Sequence, residues 1–277
     1  MSPLTLGFSP CPNDTFIFYA LIHGRIPVDD LTFQERLEDV ESLNRLVLHR
    51  SLDVSKISYH LLGHVRDDYL LLRSGGALGR GCGPLVVARD PFDPAELRGK
   101  RIAIPGRYTT ASLLLRLFDP GLDTLVVMPF HEIMGAVVTG EVDAGVIIHE
   151  SRFTYQGEGL HAILDLGRWW EEETGEPIPL GGIVARRELG TETLTLVENA
   201  LRGSVLFAQA HPEEARQYIR RHSQEMSDEV CDAHISLYVN RYSIELGPEG
   251  EAAVKTLLAR AEAAGVIPRS SRSLFLS

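Results

Sequence analysis

The chain has 277 residues, 44% apolar and 23% charged, the make-up of an ordinary folded protein with room for a large core. Its formal net charge of −11, with no block of Lys and Arg, excludes a broad nucleic-acid surface, yet a few backbone N–H groups and one Lys suffice for a local anion site. No stretch approaches the roughly 20 uninterrupted apolar residues of a membrane helix. The opening "MSPLTLGFSPCPNDTF" lacks the basic and apolar regions of a secretory signal. Cys11, Cys82 and Cys231 stand far apart, with no metal-ligand or CxxC spacing. The expectation is a cytoplasmic enzyme or binding protein without a metal, a cofactor, or a nucleic-acid or membrane partner.

In chain order, "LTLGFS" (4–9) reads as a strand, and "NDTFIFYALIHG" as a helix capped by Asn13 or Asp14 and stopped near Gly24. "LTFQERL" alternates like a strand, and the following helix puts Val40, Leu43, Leu46 and Val47 on one face. "LDVSKIS" and "YLLLRS" are strands around a helix near 59–66, followed by the glycine-rich "SGGALGRGCGP" and the strand "LVVAR". Pro and charge concentrate over 90–100, as in a crossover between lobes. A second series follows: "RIAIP", a helix from about 109, "TLVVMP", a helix from about 130, and "VDAGVIIH". "LGGIVARR" (180–187) is strand-like and leads back towards the first lobe, and beyond 190 the pattern is helical. Alternating units predict an α/β protein with mainly parallel sheets in two lobes, residues 1–89 with 188–277 and residues 90–187.

Ligands of open α/β sheets bind beyond the carboxyl ends of strands, so chemistry is sought there. His149 ends the apolar run "GVII", where a neutral imidazole can accept a proton, or where a histidine merely terminates a strand. Lys56 and Ser58, around Ile57, either face an anion or, respectively, snorkel and cap the next helix. Thr109, Thr110 and Ala111 open a helix after a Gly turn, which makes a cradle for a carboxylate or phosphate; N-capping explains Thr109 but leaves Thr110 spare. Ser9, Asn13 and Asp14 repeat that arrangement near the N-terminus, as ligands or as turn and cap residues. Cys11, between two prolines, lacks an evident partner for a nucleophilic role. The glycine-rich loop matches neither GxGxxG nor GxxxxGK[ST], so its glycines suit close backbone approach or a hinge. Of the adjacent Trp169 and Trp170, at most one can reach a cleft. The other nine of ten histidines are read as structural.

"GFSPCPNDTFIFYAL", "LEDVESLN", "RSGGALGRGCGPLVVAR", "PGRYTTA" and "IIHESRFTY" resemble the 1,4-dihydroxy-6-naphthoate synthase family of menaquinone biosynthesis, in order and over nearly the whole chain. The resemblance implies a two-lobe periplasmic-binding-protein-like (type II) fold with a ligand cleft between the lobes. It implies a carbon–carbon lyase of the futalosine route, which converts cyclic dehypoxanthine futalosine, a small carboxylate, to dihydroxynaphthoate and a dihydroxyacetone fragment. It makes His149 the proton acceptor and Lys56–Ser58 and Thr110–Ala111 the substrate-binding residues. The alternatives are a chorismate dehydratase of the same pathway and a non-catalytic small-anion binding protein. Oligomeric state is left open, with a homodimer as one expectation.

Overall fold

The computed structural model describes residues 2–28, 31–223 and 227–276. The strands in chain order are β1 (Leu4–Phe8), β2 (Phe33–Leu37), β3 (Val54–Ser58), β4 (Tyr69–Leu71), β5 (Ala77–Gly79), β6 (Leu85–Ala88), β7 (Ile102–Ile104), β8 (Leu125–Val127), β9 (Ala144–Ile147), β10 (His161–Asp165) and β11 (Ile178–Arg186). One sheet has the order β2-β1-β3-β11-β4, with β5 also paired to β11; the other has the order β10-β6-β9-β7-β8. Two mixed α/β lobes result.

The expected mainly parallel pairing holds for β1 with β2 and β3, and for β7 with β8 and β9. The strands β6, β10 and β11 run antiparallel to their neighbours. Two of them, β6 and β11, enter their sheets from the other lobe rather than through a helical crossover within one sheet, which is the connection that keeps strands parallel. Sheet membership also divides the chain differently from the expected 89/90 and 187/188. β6 belongs to the second sheet and β11 to the first, so the crossings lie between β5 and β6 and before Ile178. The charged 90–100 stretch is instead a surface turn with a short 3₁₀ helix capped by Asp93.

The helices are α1 (Pro12–Ile22), α2 (Val40–Leu48), α3 (Tyr59–Val65), α4 (Thr110–Phe118), α5 (Ile133–Thr139), α6 (Ser151–Thr154), α7 (Leu166–Thr174), α8 (Gly190–Ala210), α9 (Pro212–His222), α10 (Asp228–Tyr238), α11 (Arg241–Ile244) and α12 (Gly247–Ala263). The first of these is buried from Pro12 to Leu21, which explains why its sequence shows no apolar stripe. Neither Asn13 nor Asp14 caps it. Cys11 occupies the N-cap without a side-chain hydrogen bond, and Pro12 takes the first turn, where a missing N–H costs nothing. Asp39 caps α2 with its carboxylate on the N–H groups of Glu41 and Ser42.

Three apolar clusters follow from this layout. One lies between the first sheet and α1, α8 and α9; a smaller one joins the second sheet to α5. The largest runs without a break from β3 and α3 through β6, β7 and α4 to α12, so the two lobes share a core beneath the cleft. Where they cross, Gly83 meets Gly167 so closely that a Cβ on Gly83 would stand 2.2 Å from the Gly167 Cα. Part of the glycine-rich loop is thus explained by backbone packing. Among the described residues no helix is long and apolar enough to cross a membrane.

Candidate active site

Between the lobes lies a cavity with about 720 Å³ of space between its walls, part of it open to solvent. All nine candidate residues, Ser9, Asn13, Asp14, Lys56, Ile57, Ser58, Thr110, Ala111 and His149, line it. The carboxyl ends of β1, β3, β7 and β9 converge there, each followed by a turn or helix that carries lining residues.

The first-lobe wall is organised around a buried ion pair. Lys56 Nζ stands 3.0 Å from Asp14 Oδ1 and also donates to the Gly75 carbonyl at 3.3 Å. Asp14 in turn accepts from Ser9 N and Oγ (3.2 and 2.7 Å) and from Asn13 Nδ2 (2.8 Å). The lysine read as either facing an anion or snorkelling is already neutralised by a carboxylate of the same wall. Ser58 N donates to Asn44 Oδ1 and its Oγ accepts from Asn44 Nδ2, which leaves the hydroxyl proton available.

The second-lobe wall is the start of α4. Thr109 Oγ1 caps it by accepting from Ser112 N at 3.2 Å, and Thr110 Oγ1 donates to the Leu180 carbonyl at 2.5 Å. The N–H groups of Thr110 and Ala111 have no acceptor among the described residues, as the open end of a helix requires. From the first lobe, Glu41 accepts from Arg107 N (3.0 Å) and Tyr108 N (3.3 Å), and His60 Nδ1 donates to the Thr109 carbonyl (3.2 Å). A Cβ on Gly106 would lie 2.4 Å from the Glu41 carboxyl carbon, so only glycine admits that carboxylate. The cradle is pinned to the opposite lobe from several directions.

His149 follows β9 with φ +56°, one of two non-glycine residues with positive φ among those described. Such backbone persists where its surroundings impose it, and it clusters at functional sites. The half-buried ring lies edge-on to Phe130 (5.1 Å between centroids), and Nδ1 is 3.6 Å from Cys11 Sγ. Burial, aided by Lys56, holds its pKa below the ordinary imidazole value against the opposing charges of Glu150, Asp14 and Asp39. The imidazole is neutral at physiological pH. Cys11 does have a histidine partner after all, but burial raises its thiol far above its usual range, so no thiolate nucleophile forms.

Among the lining residues that the sequence reading did not assign to the site, three carry side chains able to hydrogen-bond a ligand: Arg152, His234 and Tyr238. Arg152 donates to the Gly83 carbonyl and pairs with Asp165 at 3.0 Å. His234 and Tyr238 come from α10, whose buried stripe is Cys231, His234 and Tyr238. A histidine on an apolar helical stripe was the signal for it. The tryptophans do not take part: Trp170 is fully buried and donates to the Pro177 carbonyl, and Trp169 packs edge-on against Phe118. Among the described residues no group of three or more His, Cys, Asp or Glu is placed to hold a metal ion.

The fold is that of two-lobe periplasmic-binding proteins. A Candida albicans protein described as having the generic periplasmic-binding-protein fold superposes with a TM-score of 0.67 at 16% identity, covering 98% of this chain and 92% of that one. Residues 4–263 match a family described as menaquinone biosynthesis, and the chain belongs to that family. It is 54% identical over 276 residues, all of both chains, to a Thermus thermophilus protein named 1,4-dihydroxy-6-naphthoate synthase. A Streptomyces coelicolor protein of the same name is 50% identical, over 96% of this chain and 95% of the relative. A crystal structure from Archaeoglobus fulgidus superposes with a TM-score of 0.90 at 39% identity, over 96% of this chain and 98% of that one. The protein is an enzyme of menaquinone biosynthesis.

Proposed function

We propose that the protein is a cytoplasmic carbon–carbon lyase that converts cyclic dehypoxanthine futalosine to 1,4-dihydroxy-6-naphthoate and a dihydroxyacetone fragment, with His149 as general base. The observation that carries this reading is a neutral imidazole, held in left-handed backbone at a strand end, on the wall of the cavity between the lobes. The substrate carboxylate sits on the free N–H groups of Thr110 and Ala111 and the Ser58 hydroxyl, where a helix N-terminus favours negative charge. Nε2 of His149 takes a substrate proton, which starts ring opening and carbon–carbon cleavage, and aromatisation of the naphthalene product draws the reaction forward. Cys11 acts as a positioning residue: its contact with Nδ1 holds the ring, and in the tautomer with Nδ1–H donating towards sulfur Nε2 is left to take the proton.

The test is turnover of cyclic dehypoxanthine futalosine by the purified protein and by His149→Ala, with the dihydroxynaphthoate followed. Wild-type turnover with a loss of at least about 10²-fold in the variant is expected for a general base. The acid limb of wild-type kcat/KM should lie below the ordinary imidazole pKa of about 6.5, because the native ring resists protonation. Turnover that survives the substitution would remove His149 from the mechanism. Binding of the substrate without turnover by the wild type would make the protein a receptor.

A further inference from the structure

We infer that His234 and Tyr238 on α10 form a subsite for the hydroxylated, sugar-derived part of the substrate, where the imidazole hydrogen-bonds a substrate hydroxyl beside His149. The inference rests on the reading above and adds to it the part of the cavity that faces the three-carbon fragment. His234 is 1% exposed and lines the cavity, yet neither ring nitrogen has a hydrogen-bond partner. Buried polar groups in folded proteins are nearly always paired, so an imidazole with both nitrogens unpaired at a cavity wall marks a partner that arrives with the ligand. Its aromatic neighbours do not pair with it: His149 lies stacked at 6.3 Å between centroids, Tyr238 at 4.6 Å and Phe153 at 6.4 Å.

The chemistry of the ring selects the ligand group. Burial, reinforced by His149 and Lys56, lowers the His234 pKa to about 3, so the ring stays neutral. A neutral imidazole carries one donor and one acceptor, and a hydroxyl can meet either. A carboxylate can only accept, and the free helix N–H groups on the α4 wall already suit it. Tyr238, one turn after His234 on the same buried stripe, adds a phenolic hydroxyl to that wall. A substrate laid with its carboxylate on α4 would then have its polyol end on α10, next to the base.

The experiment is calorimetric binding in the His149→Ala background, where substrate is not consumed. Two compounds are compared: cyclic dehypoxanthine futalosine, and 1,4-dihydroxy-6-naphthoate, which lacks the three-carbon fragment. Adding His234→Phe should weaken substrate binding about tenfold, the loss of one ligand hydrogen bond, and change naphthoate binding less than about twofold. Adding His234→Gln, which keeps a donor and an acceptor, should restore part of the difference. In His149→Ala protein with nitrogen-labelled histidine, the His234 ring resonances should shift with substrate and not with naphthoate. Equal weakening of both compounds, or of neither, or His234 resonances indifferent to substrate, would overturn the subsite while leaving the reaction standing. A His149→Ala protein that binds neither compound would overturn the functional reading, and the subsite with it.

Discussion

The two sides of the cavity satisfy their polar atoms differently. At the strand ends almost every side chain is answered from within the protein: Asp14 by Lys56, Ser9 and Asn13, Ser58 by Asn44, Thr110 by Leu180, Thr109 by Ser112. What that side offers a ligand is mainly backbone N–H. On α10 the polar atoms are fewer, and the His234 ring is left unpaired. A paired wall is preorganised and contributes to stability, whereas an unpaired one is completed only by a ligand and costs stability until then. Substitutions on the two sides should therefore fall on different measurements.

The largest stability effect belongs to the paired side. Asp14→Ala leaves the Lys56 ammonium buried without its counter-charge, and Lys56→Met does the same to Asp14. Either should lower unfolding free energy by about 3–5 kcal/mol in denaturant titration. Replacing both at once with apolar residues should cost much less than either alone, because no orphaned charge remains. Singles as stable as the wild type would mean that the pair organises nothing, and the contrast between the walls would fail on its stronger side.

A pH titration of stability separates the walls next. Burial lowers His60 to about 4 and His234 to about 3, and the unfolded chain titrates near the ordinary value of about 6.5. Below that value the unfolded state takes up protons that the native rings refuse, so stability is full above it and falls as pH falls. Each group contributes roughly 1.4 kcal/mol per pH unit, down to about pH 4 for His60 and about pH 3 for His234. His234→Phe should flatten this slope and leave stability at neutral pH equal or higher by about 1 kcal/mol, since it removes an unpaired buried polar group. His60→Phe should flatten the slope too, but at neutral pH it should cost about 1 kcal/mol for the lost bond to the Thr109 carbonyl. If both variants changed neutral-pH stability in the same direction, pairing would not distinguish the walls.

The paired wall is also the one that was legible in the sequence. Lys56–Ser58, Thr110–Ala111 and His149 stand at the ends of apolar runs, where strand period and Gly turns announce a cleft, and the structure gathers them into one cavity. Asn13 and Asp14 were visible as polar residues at a helix start, but the pairing of Asp14 with a lysine 42 residues on is a tertiary fact with no local trace. His234 was read as structural because α10 looks like any amphipathic surface helix, and burial of its stripe depends on packing from elsewhere. The weakly patterned β5 and β10 escaped for a simpler reason: one has three residues inside a glycine-rich loop, and the other is an edge strand exposed at its start. The lobe boundaries were displaced because Pro and charge mark a surface turn as readily as a crossover, whereas the real crossing needs only the small residues around Gly83.

A further effect expected on the paired side concerns Glu41, which holds the α4 cradle from the first lobe. Its buried carboxylate accepts from Arg107 N and Tyr108 N, and desolvation raises its pKa above the usual carboxylate value despite those bonds. The sign is opposite to that of the histidines: the native state binds this proton more tightly than the unfolded chain, so stability from this group rises as pH falls through its native pKa. Glu41→Gln keeps an acceptor without a buried charge and should change neutral-pH stability by less than about 1 kcal/mol. Glu41→Ala leaves two loop N–H groups without an acceptor and should cost about 1–3 kcal/mol, and it should raise KM for the carboxylate substrate more than it lowers kcat, because the cradle loosens while His149 is untouched. Denaturant titration and steady-state kinetics on the two variants check both. An alanine variant with unchanged stability and KM would show that the cradle keeps its shape without help from across the cleft, and that internal pairing is not what preorganises this wall.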